Sequence, residues 1–346
     1  MAKRILIIKP SALGDIVLAL PALSSLRASF PDAKISWFVR KEFAPLIEGN
    51  DNLDEVIIFD RKLLGKWWCH PKAFGALVRL VKGLRSCKFD IVIDLQGLFR
   101  TALFGWFSGC KRRYGMATAR EFATVLYTDK VAFDEESVHL IDCNYKMLAA
   151  AGATVRRDEY GLNFSDGAEK SVSEKLDSVG VEAGGYAVFV PSAAQDYKCW
   201  PVENFAKLAE KIVSEYGLKI IAVGTAGEKG VVERLESLSS AEVIDFCGRT
   251  DIPELAALIK GAGLVISNDT GPGHIAAATG AAMVMIFGAT NPSRVGPYGR
   301  GDAVGAVDAF ERGSDIESRD AAHSVEAVTV EQVFEKVKCQ LGRKAL

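Results

Sequence analysis

The 346-residue sequence has little of what metal and disulfide chemistry needs: four dispersed histidines, and seven cysteines that form no cluster. Cys69, Cys87, Cys110, Cys143, Cys199, Cys247 and Cys339 make no Cys-x-x-Cys pair. An odd count without a secretion signal points to reduced thiols in a cytosol, not to a disulfide frame or a zinc site. No apolar run approaches the about 18 residues a bilayer-spanning helix needs, which leaves only contact with a membrane surface. The first strand-like run is followed by neither G-x-G-x-x-G nor G-x-x-x-x-G-K-[ST], which disfavours a nicotinamide dehydrogenase. No Asp-x-Asp pair stands at a strand end to hold a nucleotide-bound divalent ion, so a metal-independent site without cofactor is expected. Short repeats and low-complexity tracts are absent too.

What is present is a globular composition, 49% apolar and 25% charged, long enough for two domains. Net charge is −2 but uneven: residues 1–160 hold 24 Lys and Arg against 18 Asp and Glu, and the remainder 18 against 26. The front half therefore suits an anionic partner better than the back half. Apolar runs at 4–9, 35–39, 56–59 and 91–95 read as strands, with helical spacing over 16–28, 74–84 and up to residue 104. A second series begins near Tyr186: strands at 187–190, 219–223, 243–246, 264–267 and 282–287, with helices at 202–216, 228–238 and 252–259. Polar residues 156–185 read as the connection between the two series, and 328–341 as a last helix able to pack back on the first domain. The alternation predicts an α/β chain of two doubly wound domains, each a parallel sheet covered on both faces. Ligands are then expected at the carboxyl ends of the strands, in a cleft between the domains.

Three loops carry candidate chemistry. Lys9-Pro10-Ser11-Ala12-Leu13-Gly14-Asp15 delivers one carboxylate, Asp15, to a helix start. There it either caps the helix or takes a proton from an attacking hydroxyl. Val190-Pro191-Ser192-Ala193-Ala194-Gln195-Asp196-Tyr197-Lys198-Cys199-Trp200-Pro201 brings a cation, Lys198, suited to phosphate, with Trp200 as a core anchor. Ser267-Asn268-Asp269-Thr270-Gly271-Pro272-Gly273-His274 turns from a buried strand into a helix. The free N–H groups and dipole of its first turn suit a phosphate, Gly271 and Gly273 permit close approach, and Thr270 and His274 add donors. A strand-to-helix turn capped by Asp269 or Thr270 is the plainer alternative.

Taken together these loops resemble glycosyltransferase family 9, the heptosyltransferases of the lipopolysaccharide inner core. The likeness rests on Lys9 to Asp15 with Leu20-Pro21-Ala22-Leu23, on Asp94-Leu95-Gln96-Gly97-Leu98, on Lys198-x-Trp200-Pro201, and on Asp269-Thr270-Gly271 with His274. Thr118-Ala119-Arg120-Glu121 with Gln96-Gly97-Leu98 looks most like heptosyltransferase I. The resemblance implies a GT-B fold of two Rossmann-like domains facing a central cleft. Residues 1–165 would bind the acceptor, 166–325 the nucleotide sugar, and 326–346 would form the terminal helix.

It further implies an inverting transfer of L-glycero-D-manno-heptose from ADP-heptose to a Kdo-lipid A acceptor, in the cytoplasm or peripherally on the inner face of its membrane. Asp15 matches the catalytic base, with Ser11 and Gly14 in the donor or acceptor cleft. Lys198, Thr270 and Gly271 match diphosphate contacts, and Asp269 and His274 donor-site positions; Ser192, Glu228 and Thr250 complete the donor set, Glu228 toward the ribose and Thr250 toward the adenine. Arg61, Lys62, Lys66 and Arg120 would meet lipid A phosphates and Kdo carboxylates. Trp67 and Trp68 either rest at a lipid interface or tuck into the domain. The sequence departs from the type I pattern at Ala193 and Ala194, where hydroxyl residues are usual, and at Ala12 in place of Ser. Two other readings share the scaffold: a non-hydrolysing sugar-nucleotide epimerase, which acts on donor alone, and a non-catalytic nucleotide-sugar-binding protein.

Overall fold

Ile5 to Ile8 are all inaccessible to solvent, as the middle strand of a sheet covered on both faces must be. In the computed structural model, which describes residues 2–134, 138–157, 160–162 and 166–344, the chain divides into two compact units, Met1–Asn163 and Phe164–Leu346. The first unit runs β1 (Arg4–Ile8), α1 (Leu13–Val17), α2 (Leu20–Ser29), β2 (Lys34–Arg40), β3 (Glu55–Phe59), α3 (Arg61–Leu64) and α4 (Pro71–Ser86). It continues with β4 (Ile91–Asp94), α5 (Phe99–Phe107), β5 (Arg113–Met116), β6 (Asp129–Val131) and α6 (Leu140–Ala150). Every strand pair is parallel, in the order β3-β2-β1-β4-β5-β6. Helices α2 and α6 pack together, as do α4 and α5. Leu64, Leu84 and Phe104 from α3, α4 and α5 join Leu6, Phe38 and Val92 of the strands in one core.

The second unit runs α7 (Asp166–Ser178), β7 (Tyr186–Val190), α8 (Val202–Tyr216), β8 (Lys219–Ala222), α9 (Lys229–Leu238), β9 (Val243–Asp245) and α10 (Ile252–Lys260). After these come β10 (Leu264–Asn268), α11 (Gly271–Thr279), β11 (Met283–Ile286), α12 (Pro292–Val295), β12 (Val304–Gly305) and α13 (Val330–Lys344). Its sheet is again parallel, ordered β12-β11-β10-β7-β8-β9. Counted within the unit this is the strand order of the first sheet. In both sheets the order reverses beside the first strand, between β1 and β4 and between β7 and β10. Chains leaving adjacent strands in opposite directions open a crevice there, the place where doubly wound folds bind ligands.

Several elements depart from the sequence reading. The helix expected over 16–28 is two, because Pro21 has no N–H to continue the ladder; it sits in the first turn of α2 instead. The stretch read as a connection holds α7, whose Ala168, Val172 and Leu176 are buried, four residues apart, beneath a charged exterior. β5, β6 and α6 went unread, the two strands being short and polar. The terminal helix packs on α8, β11 and β12, with Val333, Phe334 and Val337 in the second unit's core. Its apolar face is thus consumed within its own unit.

Candidate active site

The β1 loop enters α1 with Ala12 at the cap position and no side-chain cap. Asp15, in the first turn, therefore does not cap the helix. Its Oδ2 lies 3.2 Å from Lys9 Nζ, and its side chain stays 38% exposed while that of Lys9 is 4% exposed. The same ammonium donates to the Leu95 carbonyl at 3.2 Å, and Trp37 Nε1 donates to the Lys9 carbonyl at 3.1 Å. A buried cation thus joins the loops after β1 and β4 and holds one carboxylate oxygen. Ser11 is partly buried and Gly14 buried beside it.

Asp94 ends β4 and is buried. Its Oδ1 accepts from the Gln96 and Gly97 amides at 2.9 and 3.2 Å, and its Oδ2 from Thr101 Oγ1 and Tyr127 Oη, both at 2.8 Å. Burial raises its pKa against the pull of these four donors, and burial with the adjacent Asp94 charge pushes the Tyr127 phenol up. Asp94 is the knot of this loop. Gln96 Oε1, in the same loop, is buried without a partner among the described residues, a polar atom at the switch point that wants a donor.

In the second unit, Asn268 is fully buried at the end of β10. Its Oδ1 accepts from the Trp200 amide at 3.0 Å, and its Nδ2 donates to the carbonyls of Val190 and Pro191 at 3.3 and 2.9 Å. Trp200 is itself buried, and its Nε1 donates to the Val328 carbonyl at 2.7 Å. The loop after β7 is fixed at both ends, so Lys198 is held. Its Nζ donates to Asp269 Oδ2 at 2.6 Å, and His274 Nε2 lies 3.7 Å from Asp269 Oδ1. Burial would raise the Asp269 carboxyl; the His274 ring and the Lys198 ammonium outweigh it and hold it at about 2.

Thr270 occupies the cap position of α11, again with no side-chain cap; its Oγ1 turns to Ser267 Oγ at 3.2 Å. The first turn of α11 keeps its N–H groups free of side-chain caps. Gly273 serves packing: a Cβ there would stand 2.9 Å from Ser267 Oγ and 3.1 Å from Met285 Cε. The capping alternative therefore fails for both loops. Glu228, read from the sequence only as a ribose partner, does cap: its Oε2 accepts from the Thr225 amide and hydroxyl at 2.6 and 2.8 Å in a capping box.

Thr250 is partly buried just ahead of Asp251, the cap of α10. Ser192 Oγ and His274 Nδ1 are buried without partners among the described residues. So is Thr290 Oγ1, in the loop after β11; its only sequence signal was to follow an apolar run.

By topology, every donor candidate, from Ser192 and Lys198 through Glu228 and Thr250 to Asp269, Thr270, Gly271 and His274, follows one of β7, β8, β9 and β10 on the carboxyl edge of the second sheet. Asp15, Arg61, Lys62, Lys66 and Arg120 follow β1, β3 and β5 on the carboxyl edge of the first. The four acceptor cations are exposed, and so are Trp67 and Trp68, which therefore do not tuck into the domain.

Two parallel six-stranded sheets of one strand order, flanked by helices, make this a two-domain α/β protein of the GT-B fold. The profile of glycosyltransferase family 9 (heptosyltransferase) matches residues 77–323, and the chain belongs to that family. It is 28% identical over 307 residues to lipopolysaccharide heptosyltransferase 1 of Escherichia coli K12, spanning 87% of this chain and 92% of that one. It is 27% identical over 290 residues to lipopolysaccharide heptosyltransferase 3 of the same strain, 80% of each chain. The solved structure of E. coli heptosyltransferase WaaC with ADP superposes with a TM-score of 0.77 at 24% identity, covering 97% of this chain and 99% of that one.

Proposed function

We propose that this heptosyltransferase moves L-glycero-D-manno-heptose from ADP-heptose to the Kdo-lipid A inner core in lipopolysaccharide biosynthesis, with inversion and without a metal. The observation that carries the reading is the pairing of Lys198 with Asp269 beside the uncapped start of α11. A buried carboxylate that orients an ammonium next to free N–H groups and a positive dipole end makes a cradle for a diphosphate. Ser192 and His274 offer further unpaired polar atoms to that donor. In this role Lys198, Thr270 and Gly271 hold the diphosphate, and Asp269 acts chiefly by positioning Lys198. Glu228, already engaged by Thr225, has its second oxygen for the ribose, and Thr250 lies toward the adenine.

Asp15 is the base. With Oδ2 held by Lys9, the carboxylate presents Oδ1 to an acceptor hydroxyl. That hydroxyl, as it loses its proton, attacks the anomeric carbon from the face opposite the leaving ADP, while Lys198 and α11 take up the charge growing on the diphosphate. The charge these groups supply is what a divalent ion would otherwise bring. Ser11 and Gly14 shape the ground around the base. Arg61, Lys62, Lys66 and Arg120 hold the anionic acceptor at the inner face of the cytoplasmic membrane. The acceptor of heptosyltransferase I is preferred to that of a later heptosyltransferase because of Thr118-Ala119-Arg120-Glu121 with Gln96.

Mass spectrometry of products from ADP-heptose and Kdo-lipid A tests the reading: a single added heptose with release of ADP is expected. Donor converted without acceptor would instead indicate an epimerase, and ADP binding without donor loss a non-catalytic binder.

A further inference from the structure

Residues 61–89 carry eight lysines and arginines and not one aspartate or glutamate. They build α3 and α4, and α5, packed beside α4, has no acid either. On α4, Leu77, Leu80 and Leu84 face the core, so the apolar demand of the fold is met from the inner side. On the outer side Lys72, Arg79, Lys82 and Arg85 are exposed, spaced to share one flank at about 100° per residue. Ahead of and among them stand large apolar groups in water, Trp68 75% exposed, Phe74 54% and Trp67 49%, and the neighbouring α5 adds Trp106 at 50%. At the far end of α4 an open cavity of about 460 Å³ is lined by Arg85, Lys88, Lys111 and Arg112, with the Asp90 carboxylate in its wall accepting from the Arg4 amide.

Exposed tryptophans among cations, on helices that carry no acid of their own, have the chemistry of a surface that lies in a lipid headgroup layer. No helix among the described residues is long and apolar enough to cross a membrane, so the contact would be at the surface. We propose that the face formed by α3, α4 and α5 docks on an anionic phospholipid bilayer. Trp67, Trp68 and Phe74 enter the headgroup region, and Lys72, Arg79 and Lys82 pair with lipid phosphates. The charge of the occupant follows from the charge of the face, and the aromatics favour a layered apolar–polar partner over a dissolved polyanion. The docking draws its purpose from the lipid acceptor proposed above. Its test uses neither donor nor acceptor, so either reading can fail without the other.

The full chain is mixed with vesicles of phosphatidylcholine alone or with about one-third phosphatidylglycerol, and binding is read by sedimentation and tryptophan emission. Binding to the anionic vesicles only, with a blue shift and weakening in salt, is expected. The charge variant Lys72→Gln/Arg79→Gln/Lys82→Gln should lose about 100-fold in partitioning. The aromatic variant Trp68→Ser/Phe74→Ser should lose about tenfold and much of the blue shift. Circular dichroism and ADP affinity should match wild type in both variants, which separates lost docking from lost folding. The proposal is overturned if the wild type ignores anionic vesicles, if correctly folded variants bind them as well as it does, or if single-stranded oligonucleotide binds more tightly than vesicles.

Discussion

At the scale of single residues, the molecule sorts its acids by what they hold. Asp15 is paired with a buried lysine yet still reaches solvent, Asp94 is spent on its own loop, and Glu228 on a capping box. Asp15→Ala should lower turnover by about 10²–10⁴-fold, the usual weight of a general base, with ADP affinity unchanged in calorimetry. Near-normal turnover would remove it from that role.

Lys198→Ala should weaken ADP binding by about 10–100-fold, the range for hydrogen bonds to charged groups. It should also destabilise the fold by about 3 kcal/mol, because Asp269 is left buried with only the His274 ring, 3.7 Å away, beside it. The carboxyl of Asp269 sits at about 2, below the ~3.9 of an unfolded aspartate. Its contribution to stability is therefore complete above about pH 4 and is lost as pH falls toward about 2. Urea midpoints measured down that range should drop in the wild type, and Asp269→Asn should flatten the part of the slope that this group supplies.

At the scale of elements, α11 and the loop after β7 decide whether the cradle exists. Gly273→Ala would put a Cβ into Ser267 and Met285 and push α11 away from β10 and β11. A destabilisation of about 1–3 kcal/mol is expected from such overpacking, read as a lower urea midpoint together with weaker ADP binding. If stability falls and ADP affinity does not, the start of α11 is not the phosphate site. The apolar strands and the amphipathic α8, closed by left-handed Gly217 after Tyr216, were legible in the sequence because burial on both faces and helix ends leave strong local signals. α7 was masked by its charges, although Ala168, Val172 and Leu176 kept the helical period. The capping box of Glu228 was written as Thr225-x-x-Glu228 and could have been read. Lys9 with Asp15 could not, because nothing in a six-residue spacing says that the lysine turns inward.

At the scale of the whole chain, each unit has its own sheet and its own core, and the donor candidates all belong to the second. Residues 164–346 expressed alone should bind ADP, residues 1–163 should not, and neither should transfer heptose. Comparable ADP binding by the first unit would move the donor site. The two sheets repeat one strand order, so the chain presents two switch points: one bears a carboxylate held by a lysine, the other a lysine held by a carboxylate.

The sequence by itself determined the alternation of strands and helices, the position of each loop after its strand, and the residue types available there, since these depend on local periodicity and on backbone chemistry. Only the tertiary structure decided which side chains are spent. Lys198 meets Asp269 across 71 residues, and Asn268 ties β10 to a loop some 70 residues away. Such pairings follow from sheet order, where strands distant in the chain become neighbours, and no local pattern encodes them.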